Sequence, residues 1–173
     1  WISYWYTTLA FFPNEAEFRQ RIILGRYADE IITHRLKKDN DLANPEKSPL
    51  KAEQIPLFEG LAYYYPDIAF RVSARFEIDT TGQPFRMPTT TSRLPQYRKY
   101  GRIIFNIGDT SLVLTAFQNL DYLAENPGYN KLFIPFKDYT NGEETYGGGR
   151  YLDIEIPLSD TLSLDFNYAY NPY

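Results

Sequence analysis

From residue 70 onward, apolar and polar side chains alternate. Phe70, Val72, Ala74, Phe76 and Ile78 interleave with Arg71, Ser73, Arg75 and Glu77, the period of a strand with one buried and one wet face. Residues 102–107 and 111–117 read as two more strands, joined by Gly108-Asp109, a dipeptide suited to a tight hairpin. Segments 132–136, 150–156 and 162–166 complete the set. Thr81-Gly82 and Ser159-Asp160 supply turns, and a short helix fits between Asn119 and Asn130. Upstream the period changes. Phe18, Ile22, Ala28, Ile31, Ile32 and Leu36 recur at steps of roughly three and four among charged residues, which predicts an amphipathic helix over 15–39. Asn14 and Glu17 fit a capping box at its start, and Lys37 and Lys38 suit the dipole at its end. Gly25 is a candidate break, costing about 1 kcal/mol relative to Ala.

Strands that follow one another without alternating helices predict a mainly β fold with an N-terminal helix, an antiparallel β-barrel or sandwich. The expected plan is an aromatic arm or signal remnant over 1–14, then a single β-rich domain over 15–173. That domain comprises helix 15–39, an irregular proline-containing connection 40–67 and a β body 68–173. The arm, Trp1 to Phe12, has six aromatics and no charge. It is too short to span a bilayer, which takes about 20 apolar residues. Thr8-Leu9-Ala10 fits a signal-peptidase site; the competing reading is a segment that packs on the domain or on a partner. Membrane association is expected only through this N-terminal segment.

Composition sharpens the picture in two places. Aromatics reach 17%, with 16 Tyr, 12 Phe and 2 Trp among 173 residues, which favours strands. There is no Cys, a single His, and a net charge of −4. Within these residues that excludes disulfides, Cys-based zinc sites and Cys nucleophiles, and the acidic balance argues against nucleic acid as a partner.

The most distinctive stretch runs through Tyr146-Gly147-Gly148-Gly149-Arg150 to Asp153. Three consecutive glycines are costly in chain entropy and persist where backbone comes close to something or adopts positive φ. One reading is an anion-binding nest with the Arg150 fork beside it. The other is a bulge or tight strand crossing, with Arg150 paired to Asp138, Glu144 or Asp153. A phosphate loop is excluded, because the Lys-Ser/Thr ending and the following helix are missing. Asp138, Glu143 and Glu144 match no calcium-loop spacing, so no metal and no cofactor are expected. Thr89, Thr90 and Thr91, followed by Arg93, read either as a polar, oxyanion-binding wall or as an edge strand with local hydroxyl bonds. No Gly-x-Ser-x-Gly elbow accompanies them. Asp165 and Asn167 read as neighbours on one strand face. His34 reads as a surface residue of the helix. The candidate ligand-binding set is therefore Thr89, Thr90, Thr91, Tyr146, Gly147, Gly148, Gly149, Arg150, Asp153, Asp165 and Asn167; no catalytic residue is assigned.

Several blocks together resemble the bacterial and archaeal family called domain of unknown function 1684 (DUF1684). They are Ser48-Pro49-Leu50, the segment from Met87 to Thr91, Tyr97 to Gly101, Phe133 to Asp153, and Asp165-Phe166-Asn167 with Ala169-Tyr170-Asn171-Pro172. The resemblance covers about 27–173. It implies a mostly β domain without established activity, often in exported proteins, hence periplasmic or an outer-membrane lipoprotein. It also implies a continuation with a Cys-Ala-Tyr-Asn segment and a second Cys. The leading functional expectation is a noncatalytic binding or interaction module of the bacterial cell envelope, meeting an envelope protein partner through residues 1–12. The alternatives are a β-barrel binding a small anionic, sugar or aromatic ligand, and a hydrolase-like enzyme using Asp138, Glu144, Arg150 and the Thr89 to Thr91 hydroxyls.

Overall fold

The computed structural model describes residues 15–89 and 92–172. The chain divides into two compact units, one ending at Ile68 and one beginning at Ala69. In the first, helix α1 (Glu15–Ala43) runs unbroken through Gly25. It outlasts the expected 15–39 because Leu42 continues its buried stripe and Lys37 pairs with Asp41 one turn on, at 2.8 Å. That stripe consists of Tyr27, Ile31 and Leu42, whereas Ile22, Ile32 and Leu36 of the expected apolar face are exposed. The irregular connection is tied along the helix. Asp39 accepts hydrogen bonds from the Tyr63 hydroxyl at 2.8 Å and the Leu61 amide at 3.4 Å. Arg35 donates to the Tyr64 carbonyl at 2.6 Å and lies over the Tyr63 ring.

The second unit is an antiparallel sheet curled into a half-barrel. Its strands are β1 (Arg71–Ile78), β2 (Phe85–Arg86), β3 (Gln96–Ile107), β4 (Thr110–Asn119), β5 (Lys131–Phe136), β6 (Arg150–Glu155) and β7 (Thr161–Asp165), with helix α2 (Leu120–Glu125) after β4. The spatial order is β6-β5-β4-β3-β1-β7, and β2 lies against β3. Alternation sends Ala74, Phe76, Ile103, Phe105, Ala116, Leu132, Ile134, Leu152 and Leu164 into one buried cluster that fills the concave side.

β3 starts at Gln96, six residues earlier than the alternation marks. The reason is a bulge: Lys99 pairs with Phe117, and Gly101 pairs with the next residue, Ala116. The extra residue, Tyr100, reverses the parity, so Tyr97 and Lys99 share the outer face with Phe117 and Asn119. Gly101 has no tolerance for a side chain, since a Cβ there would sit 2.6 Å from the Glu77 carbonyl oxygen and 3.0 Å from the Phe76 ring. After β7 the chain makes a single 3-10 turn, Phe166–Tyr168. Phe166 packs against Phe105 and Phe136, at 5.4 and 5.3 Å between ring centroids. Tyr170 then pairs antiparallel with Tyr151 of β6, its amide and carbonyl bonding at 3.0 and 2.8 Å. One C-terminal segment therefore touches both ends of the strand order.

Two glycine substitutions of opposite sign follow. Gly101→Ala overpacks the bulge and is expected to cost about 1–3 kcal/mol. Gly25→Ala, where a Cβ meets nothing within 4 Å, is expected to stabilise by about 0.5–1 kcal/mol. Urea unfolding followed by circular dichroism measures both.

Candidate functional site

The glycine run lies in the connection from β5 to β6, whose ends are brought together by the pairing of Phe136 with Arg150. Asp138 organises this loop. One of its oxygens, Oδ1, accepts the Thr140 amide at 2.8 Å and also the Thr140 hydroxyl. The other, Oδ2, accepts both Nε and Nη2 of Arg150, at 3.1 and 2.7 Å. The Arg150 guanidinium also covers the Phe136 ring, 5.4 Å from its centroid. Burial works against ionisation of Asp138, but the bonds from Thr140 and Arg150 together outweigh it and hold its carboxyl below the ordinary range. Asn141 completes the loop, accepting the Asp138 amide at 2.6 Å and donating to the Thr145 hydroxyl at 2.8 Å.

The glycines serve close approach within the chain. Gly149 is buried at φ +117°, and a Cβ would lie 2.6 Å from the Phe136 carbonyl oxygen. At Gly148 a Cβ would meet the Tyr146 ring at 2.2 Å. The Tyr146 amide donates to Asn171 Oδ1 at 3.2 Å, so the glycine corner and the C-terminal segment are neighbours. Asp165 and Asn167 do not share a strand face as expected. The strand ends at Asp165, whose Oδ1 accepts the Asn167 amide and side-chain nitrogen, both at 2.9 Å, and caps the 3-10 turn. Among the triplet of threonines, Thr89 donates to the Arg93 carbonyl at 2.9 Å, while Thr90 and Thr91 lie outside the described residues. Residues 1–14 also lie outside them. His34 sits on α1, in the first unit, where burial and the charges of Lys38, Lys37 and Arg35 lower its pKa.

Asp153 belongs to a different constellation, on the outer face of β5 and β6. It stands opposite Phe133, and its Oδ2 accepts the Tyr170 hydroxyl at 2.6 Å. Around it the rings of Tyr97, Phe133, Tyr151 and Tyr170 follow one another with centroids 5.7, 4.8 and 5.8 Å apart. Asn119 donates to the Tyr97 hydroxyl at 3.1 Å. Burial raises the pKa of the Tyr97 phenol, the Asp153 and Tyr151 charges add to it, and the Asn119 bond and the Arg93 charge oppose it. Tyr129 is raised by burial and then by Asp153. The alternation in β6 places Tyr151 and Asp153 on one face, but Tyr97 joins them only through the bulge in β3, which no local pattern announces.

Elsewhere on the sheet, an open groove of about 410 Å³ is lined by Arg71, Val72, Ser73, Thr161, Leu162 and Ser163. Arg71 in it donates to the Ser163 hydroxyl at 3.1 Å. Among the described residues no group of three His, Cys, Asp or Glu side chains could hold a metal ion, and no helix is long and apolar enough to cross a membrane.

A curled sheet with a filled interior, an internally bonded arginine corner and an aromatic outer face defines a small β scaffold. Residues 57–173 match the family described as "Protein of unknown function (DUF1684)", and the chain belongs to that family. The match takes in the entire sheet and leaves α1 outside, a narrower span than 27–173. The solution NMR structure of an uncharacterized protein from Haloarcula marismortui is similar, with 30% identity and a TM-score of 0.64 over 86% of this chain and 80% of that one. Comparison with curated proteins yields no match.

The Asp138–Arg150 pair makes a pH prediction. Because the folded carboxyl titrates below its unfolded value, its contribution is complete above the unfolded pKa and is lost as pH falls through the folded one. Asp138→Asn is expected to cost about 1–3 kcal/mol at neutral pH, with the gap to the parent protein closing in acid. Unfolding midpoints at a series of pH values check it.

Proposed function

We propose that this protein is a noncatalytic binding module whose binding surface is the aromatic face around Asp153. The observation that carries the reading is the contrast between the two polar clusters of the sheet. At the glycine corner, both nitrogens that Arg150 presents to Asp138 are used to close a loop, and Asp165 is used to cap a turn. At the outer face, Asp153 is exposed beside half-buried rings, an arrangement able to take a ligand without unmaking the fold. The buried apolar cluster fills the concave side, so a ligand is better accommodated on the outer face than within a barrel.

Titration with a panel of neutral sugars, organic anions and organic cations is expected to move the backbone amide resonances of Phe133, Asp153 and Tyr170, leaving Gly147 to Arg150 in place. Movement confined to the glycine corner would transfer the site there. Silence across the panel would remove the binding role.

We also place the module at the cell envelope, in contact with an envelope protein through residues 1–12. The uncharged aromatic composition of that arm and the family resemblance support this placement. Deleting residues 1–12 is expected to release a partner that co-purifies from the envelope fraction. A partner kept by the truncated chain would take the arm out of this role.

A further inference from the structure

We infer that Arg98 and Gln118 form a site for a small organic carboxylate, where the buried cluster ends on β3 and β4 and on the opposite side of the sheet from Asp153. The inference goes beyond the outer face proposed above and does not depend on it. Three observations carry it.

The first is a buried amide with half of its bonding unused. Gln118 is only 4% exposed. It follows Ala116 in the alternation of β4, so it faces the concave side. Its Oε1 accepts both Nε and Nη2 of Arg98, at 2.9 and 2.6 Å. A guanidinium has donors alone, so this pairing turns the amide nitrogen of Gln118 away from Arg98. Neither that nitrogen nor Arg98 Nη1 meets an acceptor among the described residues. Among the same residues, Arg35 Nε is the sole side-chain nitrogen or oxygen sealed from solvent without a partner. Both unused donors, on Arg98 and on Gln118, therefore reach solvent.

The second is that the guanidinium is already held. Arg98 stands opposite Gln118 in the pairing of β3 with β4. It lies over the Tyr100 ring, 5.8 Å from the centroid. Tyr100 in turn stacks on Phe76 of the buried cluster, 6.3 Å between centroids and 16° between planes. An amide on one side and a ring on another fix the fork before a ligand arrives, so little ordering remains to be done on binding.

The third is charge. Arg98 forms no ion pair among the described residues. The carboxylates that approach this end of β3 are engaged elsewhere. Asp79, whose amide donates to the Tyr100 carbonyl, takes Lys99 at 2.6 Å. Asp121 accepts the Gln96 amide at 2.9 Å. Arg86 stands opposite Gln96, on the same face as Arg98 by alternation, and adds a second positive charge. Donors and positive charge together select an anion. The two oxygens of a carboxylate match donors on a planar fork and its neighbouring amide. The Tyr100 ring gives an organic acid apolar contact that a hydrated inorganic anion does not use.

The test follows the Nε–H resonance of Arg98 and the side-chain amide resonances of Gln118 in the isotope-labelled full chain. The probes are butyrate, its neutral counterpart butyramide, and inorganic phosphate. Butyrate is expected to shift both groups saturably, with butyramide and phosphate each at least about tenfold weaker. Arg98→Lys keeps the charge, loses the fork, and should weaken butyrate by about tenfold, read on the Gln118 amide. Gln118→Glu supplies a carboxylate from within the chain and should abolish the butyrate response of Arg98. The comparison on the parent chain needs no substitution, so it decides even where a variant unsettles the fold.

Equal response to butyrate and butyramide overturns the inference. So does a stronger response to phosphate, silence of both groups, or an unchanged butyrate affinity in Arg98→Lys. Shifts at Phe133, Asp153 and Tyr170 bear on the outer face alone, so the two readings stand or fall separately.

Discussion

The sheet is curled because one short segment, from Asp165 to Tyr170, pairs at both ends of the strand order. Tyr170 must reach the free side of β6, while Asp165, five residues earlier, belongs to β7 at the other end of the strand order. Laid flat, the six intervening strand spacings would separate them by about 29 Å. Five residues, even fully extended, reach about 17 Å, and here the path includes a tight turn. Pairing at both places is possible only if the sheet bends until its edges approach. Phe166, at the start of that short crossing, fills the gap against Phe105 and Phe136. Curvature, closure and the end of the core are thus one constraint.

Ring type follows the two faces of the sheet only in part, since Phe133 lies on the outer face and Tyr100 and Tyr168 pack against the buried cluster. Phe76, Phe105, Phe136 and Phe166 pack into or against the buried cluster. Tyr97, Tyr151 and Tyr170 occupy the outer face, where their hydroxyls can meet water, Asn119 or Asp153. A phenol buried without a partner would carry a desolvation cost that a phenyl ring does not. Tyr97, Tyr151 and Tyr170 therefore add their rings to the surface that the strands present outward.

Much of this was legible in the residues, wherever a signal was local. Alternation placed β1, β4 and β6 closely, Gly108-Asp109 marked the hairpin, and the three glycines flagged a close approach beside an arginine. What escaped depended on pairing across the sheet. The bulge at Tyr100 inverts the faces of the residues before it, so Tyr97 carries no sequence mark of its neighbours Phe133 and Tyr151. Asn167 continued an apparent strand because nothing in Asp165-Phe166-Asn167 reveals that the aspartate folds back to cap the next turn. On α1, counting apolar residues favoured Ile32 and Leu36, although Tyr27 and Leu42, which follow Arg26 and Asp41, form the buried side with Ile31. The aromatic face around Asp153 draws on β3, β5, β6 and Tyr170 together, and no single segment contains it.

The clasp between Tyr151 and Tyr170 has a colloidal consequence. Exposed strand margins invite a second molecule to add its own backbone, and that is how many β proteins begin to clump. Here one margin is interrupted at its second residue by Tyr170 of the same chain, with Pro172 just beyond. The opposite margin is a strand of only five residues. A stray chain in search of a template finds short, broken footholds, and the curl that serves the core also guards against such runaway association.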